Sequence, residues 1–129
     1  MTDHHFRHLK PHDDPFKGLD TFPAPSDVTV VRMVSDEVTA RCPVTGQPDW
    51  YEVTIIYRPD QSCIESKSLK LYFQTFRDAG IFGEAFASRV ARDIMDACAP
   101  HWVRTMIVQK PRGGITITAS AKVVRESRG

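Results

Sequence analysis

The residue best suited to covalent chemistry is Cys42, at the head of Cys42-Pro43-Val44-Thr45-Gly46-Gln47-Pro48-Asp49. Its thiolate would be a nucleophile, and its setting is a Pro/Gly loop rather than an apolar run. A carboxyl group near a thiol can take up its proton or hand one to a developing anion. Asp49 could do this if the loop doubles back; on spacing alone an Asp in a loop is most often a turn residue. Cys63 and Cys98 neighbour or belong to hydrophobic runs and read as buried small hydrophobes. A second set of polar groups lies in Glu65-Ser66-Lys67-Ser68-Leu69-Lys70-Leu71-Tyr72. Lys67 and Lys70 are three apart, so two ammonium groups point the same way from a helix. By itself that pattern describes a solvated lysine pair on a capped surface helix. Glu84 falls in the first turn expected of a later helix, where the dipole favours a carboxylate.

The elements that must position these groups are legible from periodicity. Leu69, Tyr72, Phe73 and Phe76 form one helical stripe, predicting a helix from about Glu65 to Asp78. Ser62 and Glu65 have the spacing of a capping box, and Gly80 is the expected stop. A second helix is expected over Gly83 to Ala99, with Phe82, Phe86, Val90, Ile94 and Cys98 on one face and Pro100 ending it. Alternation predicts a strand from Val28 to Val34, a turn at Ser35-Asp36, and an extended run from Glu37 to Arg41. Further strands are expected over Tyr51 to Arg58, His101 to Gln109 and Ile115 to Val124, the last two flanking the turn Pro111-Arg112-Gly113-Gly114. The order strand, strand, helix, helix, strand, strand (ββααββ) predicts an α+β fold: an antiparallel four-stranded sheet with two helices on one face. Its exposed edges call for protection.

Residues 1–27 carry His4, His5, His8 and His12 among prolines and little apolar pattern, and are expected to form a flexible arm. Residues 28–124 make the domain and 125–129 a polar tail. The histidines lack a second ligand cluster of matching spacing, so no metal site is expected. At 129 residues with net charge +1, there is no bulk electrostatic case for a nucleic-acid or membrane partner. No apolar run approaches a membrane span, the start lacks a signal-peptide core, and three cysteines argue against a disulfide framework. A cytoplasmic location is the expectation.

The string from Glu65 to Tyr72 matches the signature E-(S/L)-K-(S/A)-hydrophobic-K-(L/Y)-aromatic of the queuosine-pathway nitrile reductases. Cys42 to Asp49 reproduces the Cys-Pro-x-Thr-Gly-Gln-Pro-Asp pattern of the same family. Over about residues 28 to 118 the chain therefore resembles the NADPH-dependent 7-cyano-7-deazaguanine reductases, QueF, in their unimodular form. The resemblance implies the tunnelling fold, with copies closing edge to edge into a ring-shaped homo-oligomer, a pentamer or decamer, and sites shared between neighbours. It implies that Cys42 forms a thioimide with the nitrile, that Asp49 protonates the nitrogen, and that NADPH delivers hydride twice. Glu84 would bind the amino-pyrimidine edge of the purine, Glu65 and Ser66 would line its site, and Lys67 and Lys70 would hold cofactor phosphates. Two departures stand out: Gly83 replaces a histidine of the family's Phe-His-Glu, and Asp78-Ala79 replaces Asn-His. The missing imidazole is a group expected to manage protons at the reacting centre. Two other outcomes are therefore carried forward: conversion of the same nitrile to an amidine or amide, and a non-catalytic deazapurine-binding protein. The intact lysine signature counts against the amidine-forming relatives.

Overall fold

The structure, a computed structural model, describes residues 16–127. His4, His5, His8 and His12, and the last two residues of the expected tail, lie outside them. In chain order the elements are β1 (Thr21–Pro23), β2 (Val31–Arg41), β3 (Pro48–Arg58), β4 (Ser62–Ile64), α1 (Ser66–Gln74), α2 (Gly83–Cys98), β5 (Trp102–Arg112) and β6 (Ile115–Val124). The main sheet has the order β2-β3-β5-β6 with every pair antiparallel. This is the α+β arrangement expected from the element order.

Two-residue alternation decides which face of the sheet is dry. On β3 the side chains of Tyr51, Val53, Ile55 and Tyr57 are buried, and β5 adds Val103, Thr105 and Ile107 to the same face. Both helices cover it. α2 presents Phe86, Ala87, Val90, Ala91, Ile94 and Cys98, while α1 presents Leu69, Tyr72 and Phe73 with Phe76 just beyond its end. Phe86 packs edge-on to Tyr51 with centroids 5.3 Å apart and lies 4.6 Å from Phe76. The buried Thr105 hydroxyl donates to the Ala87 carbonyl at 2.7 Å, tying β5 to α2.

Several expected boundaries move, each for a local reason. The expected turn at Ser35-Asp36 is a β-bulge inside one strand, because pairing slips between Ser35 and Val38 while β3 runs on. Asp49 is on β3, paired with Ala40, and is not a loop residue. Ser62 belongs to β4, and Glu65 itself caps α1, accepting from the Lys67 and Ser68 N–H groups at 2.7 Å each. α1 stops at Gln74, where bonds from Thr75, Phe76 and Arg77 back to Tyr72, Phe73 and Gln74 tighten the chain into turns. Gly80 does not cap the helix; it bridges to Arg41. Phe82 is the residue before α2 and stays 55% exposed, outside the apolar stripe. Pro111 and Arg112 are strand residues after a bulge, and the β5–β6 hairpin turns on Gly113 and Gly114, with φ of 66° and 81°.

The segment 16–27, assigned to the arm from sequence, contributes β1, which pairs with β4. The Ser68 hydroxyl reinforces that ladder by accepting from the Asp20 N–H at 2.9 Å and donating to the Glu65 carbonyl at 2.8 Å. Arg125, assigned to the tail, donates to Asp60 at 2.7 Å and to the Ala99 carbonyl at 2.9 Å. It thereby holds the left-handed residue that ends α2. The opposite sheet face carries an exposed cross-strand row of Arg32, Ile56, Arg104 and Lys122, with Ile56 partly buried. The Lys122 ammonium lies 5.8 Å from the Trp102 ring centroid.

The aromatic cluster makes a direct test of the core. Phe86→Ala removes a fully buried ring and should cost about 3–5 kcal/mol in urea-denaturation stability. A loss below about 1 kcal/mol would show that Tyr51 and Phe76 do not depend on it.

Candidate active site

The loop between β2 and β3 is built to expose one sulfur. The Cys42 N–H donates to the Gln47 carbonyl and the Gly46 N–H donates to the Cys42 carbonyl, both at 2.8 Å. Gly46 closes this turn with φ of 73°, a conformation that favours glycine. Arg41 braces the loop from below, donating to the Gly46 carbonyl at 2.9 Å and to Asp78 at 2.9 and 3.1 Å. Within this turn the Thr45 hydroxyl, then the Thr45 and Val44 N–H groups, hydrogen-bond Cys42 and hold its thiol below the ordinary 9.0. Slight desolvation and the Asp49 charge oppose them. The result is a half-exposed thiol biased toward thiolate. Cys63 and Cys98 are buried, and burial followed by the nearby Cys63 pushes the Cys98 thiol up to about 12.

Asp49 stands at the start of β3, 6% exposed, on the helix-covered face. Arg112 donates one guanidinium nitrogen to its carboxyl and the other to Gln47 at 2.7 Å. In the sequence Arg112 stands out only by its place in a Gly-rich turn. The bulge between Gln109 and Arg112 brings it beside the start of β3. Tyr51, two residues beyond Asp49, is the other residue passed over, because strand alternation marks it simply as core. Burial first, then the charges of Asp49, Cys42 and Glu84, push its hydroxyl up to about 12, with Arg112 opposing them. Glu84 is exposed in the first turn of α2, next to Gly83.

Glu65, Ser66, Lys67 and Lys70 form a separate group. Glu65 spends both carboxyl oxygens on capping α1, and those backbone bonds hold its pKa below the ordinary carboxylate value. Ser66 and Lys70 line a groove of about 270 Å³ between α1 and β2, with Thr39, Glu37 and Arg77. Lys67 is exposed on the first turn of the same helix. The two groups sit at opposite ends of α1: Glu65 precedes it, whereas Asp78 and Gly80 beyond it contact Arg41 and Pro43. Nine helical residues span roughly 14 Å. Among the described residues Ser66 lines the groove on β2, and no contact joins it to Cys42.

Comparison with known proteins follows the same lines. The family model described as QueF-like protein matches residues 48–128. An NADPH-dependent 7-cyano-7-deazaguanine reductase of Frankia casuarinae is 42% identical over 111 residues, covering 86% of this chain and 89% of its own. One from Chlorobaculum tepidum is 44% identical over 90 residues, 70% of this chain and 77% of its own. The crystal structure of the archaeosine synthase QueF-Like in the apo form superposes with a TM-score of 0.71. It covers 75% of this chain and 95% of its own at 20% identity, a likeness of fold.

The thiol cradle predicts selective reactivity. Iodoacetamide should modify Cys42 alone in the folded protein, with a rate that rises with pH through a midpoint below 9.0. Thr45→Val removes the first of the stabilising bonds, so it should move the midpoint upward and lower the rate at neutral pH severalfold. An unchanged profile would show that Thr45 does not support the thiolate.

Proposed function

The chain belongs to the QueF-like family, and on that basis we propose that it reduces the nitrile of 7-cyano-7-deazaguanine to the aminomethyl group through a Cys42 thioimide. It is an NADPH-dependent oxidoreductase of the kind its relatives are named for, acting on a 7-deazapurine of the queuosine pathway. The observation that carries the mechanism is the half-exposed Cys42 thiol, held below its ordinary pKa in a turn that leads directly into the buried Asp49 of β3.

The chain's own groups divide the work. The Cys42 sulfur adds to the nitrile carbon as its thiol proton passes to Asp49; one C–N π bond becomes a lone pair on nitrogen, and Asp49 hands that proton on to complete the thioimide. Arg112 and Gln47 hold Asp49 in place while it exchanges protons. Glu84, exposed near this centre, offers two oxygens to the paired N–H donors of an amino-pyrimidine edge. Residues at the α1 groove fit a phosphate-bearing cofactor, since Lys70 and Arg77 line it beside the Ser66 hydroxyl and Lys67 lies one turn away. NADPH held there would supply hydride, and two molecules in turn would be needed to take the nitrile to the amine, with Cys42 leaving as thiolate between them.

The separation of the two residue groups along α1 supports a site completed between copies. β2 and β6 are the sheet edges, 11 and 10 residues long, and suit edge-to-edge closure into a ring. A neighbour would then bring its Glu65, Ser66, Lys67 and Lys70 toward Cys42, in a pentamer or decamer.

Intact-protein mass spectrometry should show a nitrile adduct on the wild type and none on Cys42→Ala. With NADPH present the adduct should give way to amine and oxidised cofactor. A persistent adduct without oxidation would favour amidine or amide formation, and reversible binding without adduct a non-catalytic role. Changing Lys67 and Lys70 together to Ala should weaken NADPH binding by about 1–2 kcal/mol per phosphate contact while sparing adduct formation. Equal loss of both would point to misfolding.

A further inference from the structure

We propose that the Tyr51 hydroxyl donates a hydrogen bond to the nitrogen of the captured nitrile, beside Cys42 and Asp49. This rests on the reading above that Cys42 captures a nitrile. Tyr51 follows Asp49 by two positions on β3, so alternation puts both on the face covered by the helices. Its ring is held on several sides. Phe86 meets it edge-on, and Gln109 is its cross-strand partner on β5. At Gly83 the place a Cβ would take lies 3.6 Å from both Tyr51 Cε1 and Gln109 Oε1. A ring this confined delivers its hydroxyl to one place.

That hydroxyl has no hydrogen-bond partner in the protein, the one buried side-chain polar atom among the described residues of which this holds. The other buried phenols are satisfied: Tyr57 accepts from the Ile64 N–H at 2.9 Å, and Tyr72 donates to Asp93 at 2.6 Å. Natural cores rarely leave such a group unpaired, and exceptions concentrate where a ligand completes the set. Burial first, then the charges of Asp49, Cys42 and Glu84, raise Tyr51 to about 12. Near neutral pH it is therefore a donor and not a base. Asp49 shares its strand face two residues away, and the turn that carries Cys42 leads directly into the same strand, so the acid and the nucleophile converge on the end of β3 that Tyr51 occupies. When sulfur bonds to the nitrile carbon, an electron pair and negative charge collect on nitrogen before the proton from Asp49 arrives. A fixed O–H aimed at that nitrogen stabilises the charge and keeps its own proton.

Tyr51→Phe isolates this role, since the ring and its packing stay and only the unpartnered oxygen is lost. Its melting temperature should equal or exceed that of the wild type. Stopped-flow absorbance without NADPH should show nitrile capture slowed by roughly 10- to 100-fold. Iodoacetamide, whose reaction places no charge on nitrogen, should modify Cys42 at the wild-type rate. Capture by Tyr51→Phe as fast as wild type overturns the proposal and leaves a phenol satisfied by water. Equal slowing of both reagents also overturns it, pointing to a disturbed loop. If the wild type captures the nitrile without oxidising NADPH, the reductive reading fails while the Tyr51 comparison still stands. If it captures none, both fail.

Discussion

Everything at the candidate site depends on the two-residue alternation of β3. The strand is central in the sheet, so one face of it must be dry. That requirement fixes the direction of Tyr51, Val53, Ile55 and Tyr57, and of Asp49 at the strand's first turn of register. A slip of one residue would send the carboxyl and phenol to the opposite face and bring Trp50 and Glu52 under α2. The core thus acts as the jig for the chemistry. Burying Tyr57 and Ile55 at one end of the strand aligns Asp49 at the other.

How far this was legible in the sequence varies with the range of the interaction. Helical stripes and long strands follow from local periodicity, and Leu69, Tyr72, Phe73, Phe86, Val90 and Ile94 are buried where that periodicity puts them. The misread features depend on partners distant in sequence. Ser35-Asp36 looks like a turn until β3 is alongside, when the extra residue becomes a bulge. Ser62 looks like a cap until Thr21–Pro23 pairs with Ser62–Ile64 and removes it from the helix. Arg112 could not be connected to Asp49 without the register of β3 on β5. Tyr51 hid in plain alternation, because a period-two pattern marks a phenol as apolar and says nothing of its oxygen.

Gly83 illustrates how composition and packing interlock. The resemblance drew attention to it as the place of an absent imidazole. In the structure it is the first residue of α2, lodged against Tyr51 and Gln109. A Cβ there would make ordinary van der Waals contact with both, so any larger side chain starts out touching the tyrosine ring. The glycine and the tyrosine therefore have to be considered as a pair. Restoring bulk at one position presupposes room at the other.

The open face of the sheet has a different consequence. Arg104 stands directly across from Lys122, with Arg32 in the same row, and no acidic residue interrupts them. Like charges opposed across strands repel, and the Trp102 ring relieves only one of the three through its π face. A net charge of +1 thus conceals a local row of positive charge across the open face. Such a surface resists stacking on its own copy and gathers counter-ions. Dissolved salt would consequently favour the folded sheet here, by screening repulsion over distances of about 8–10 Å, where in most proteins it merely weakens surface ion pairs.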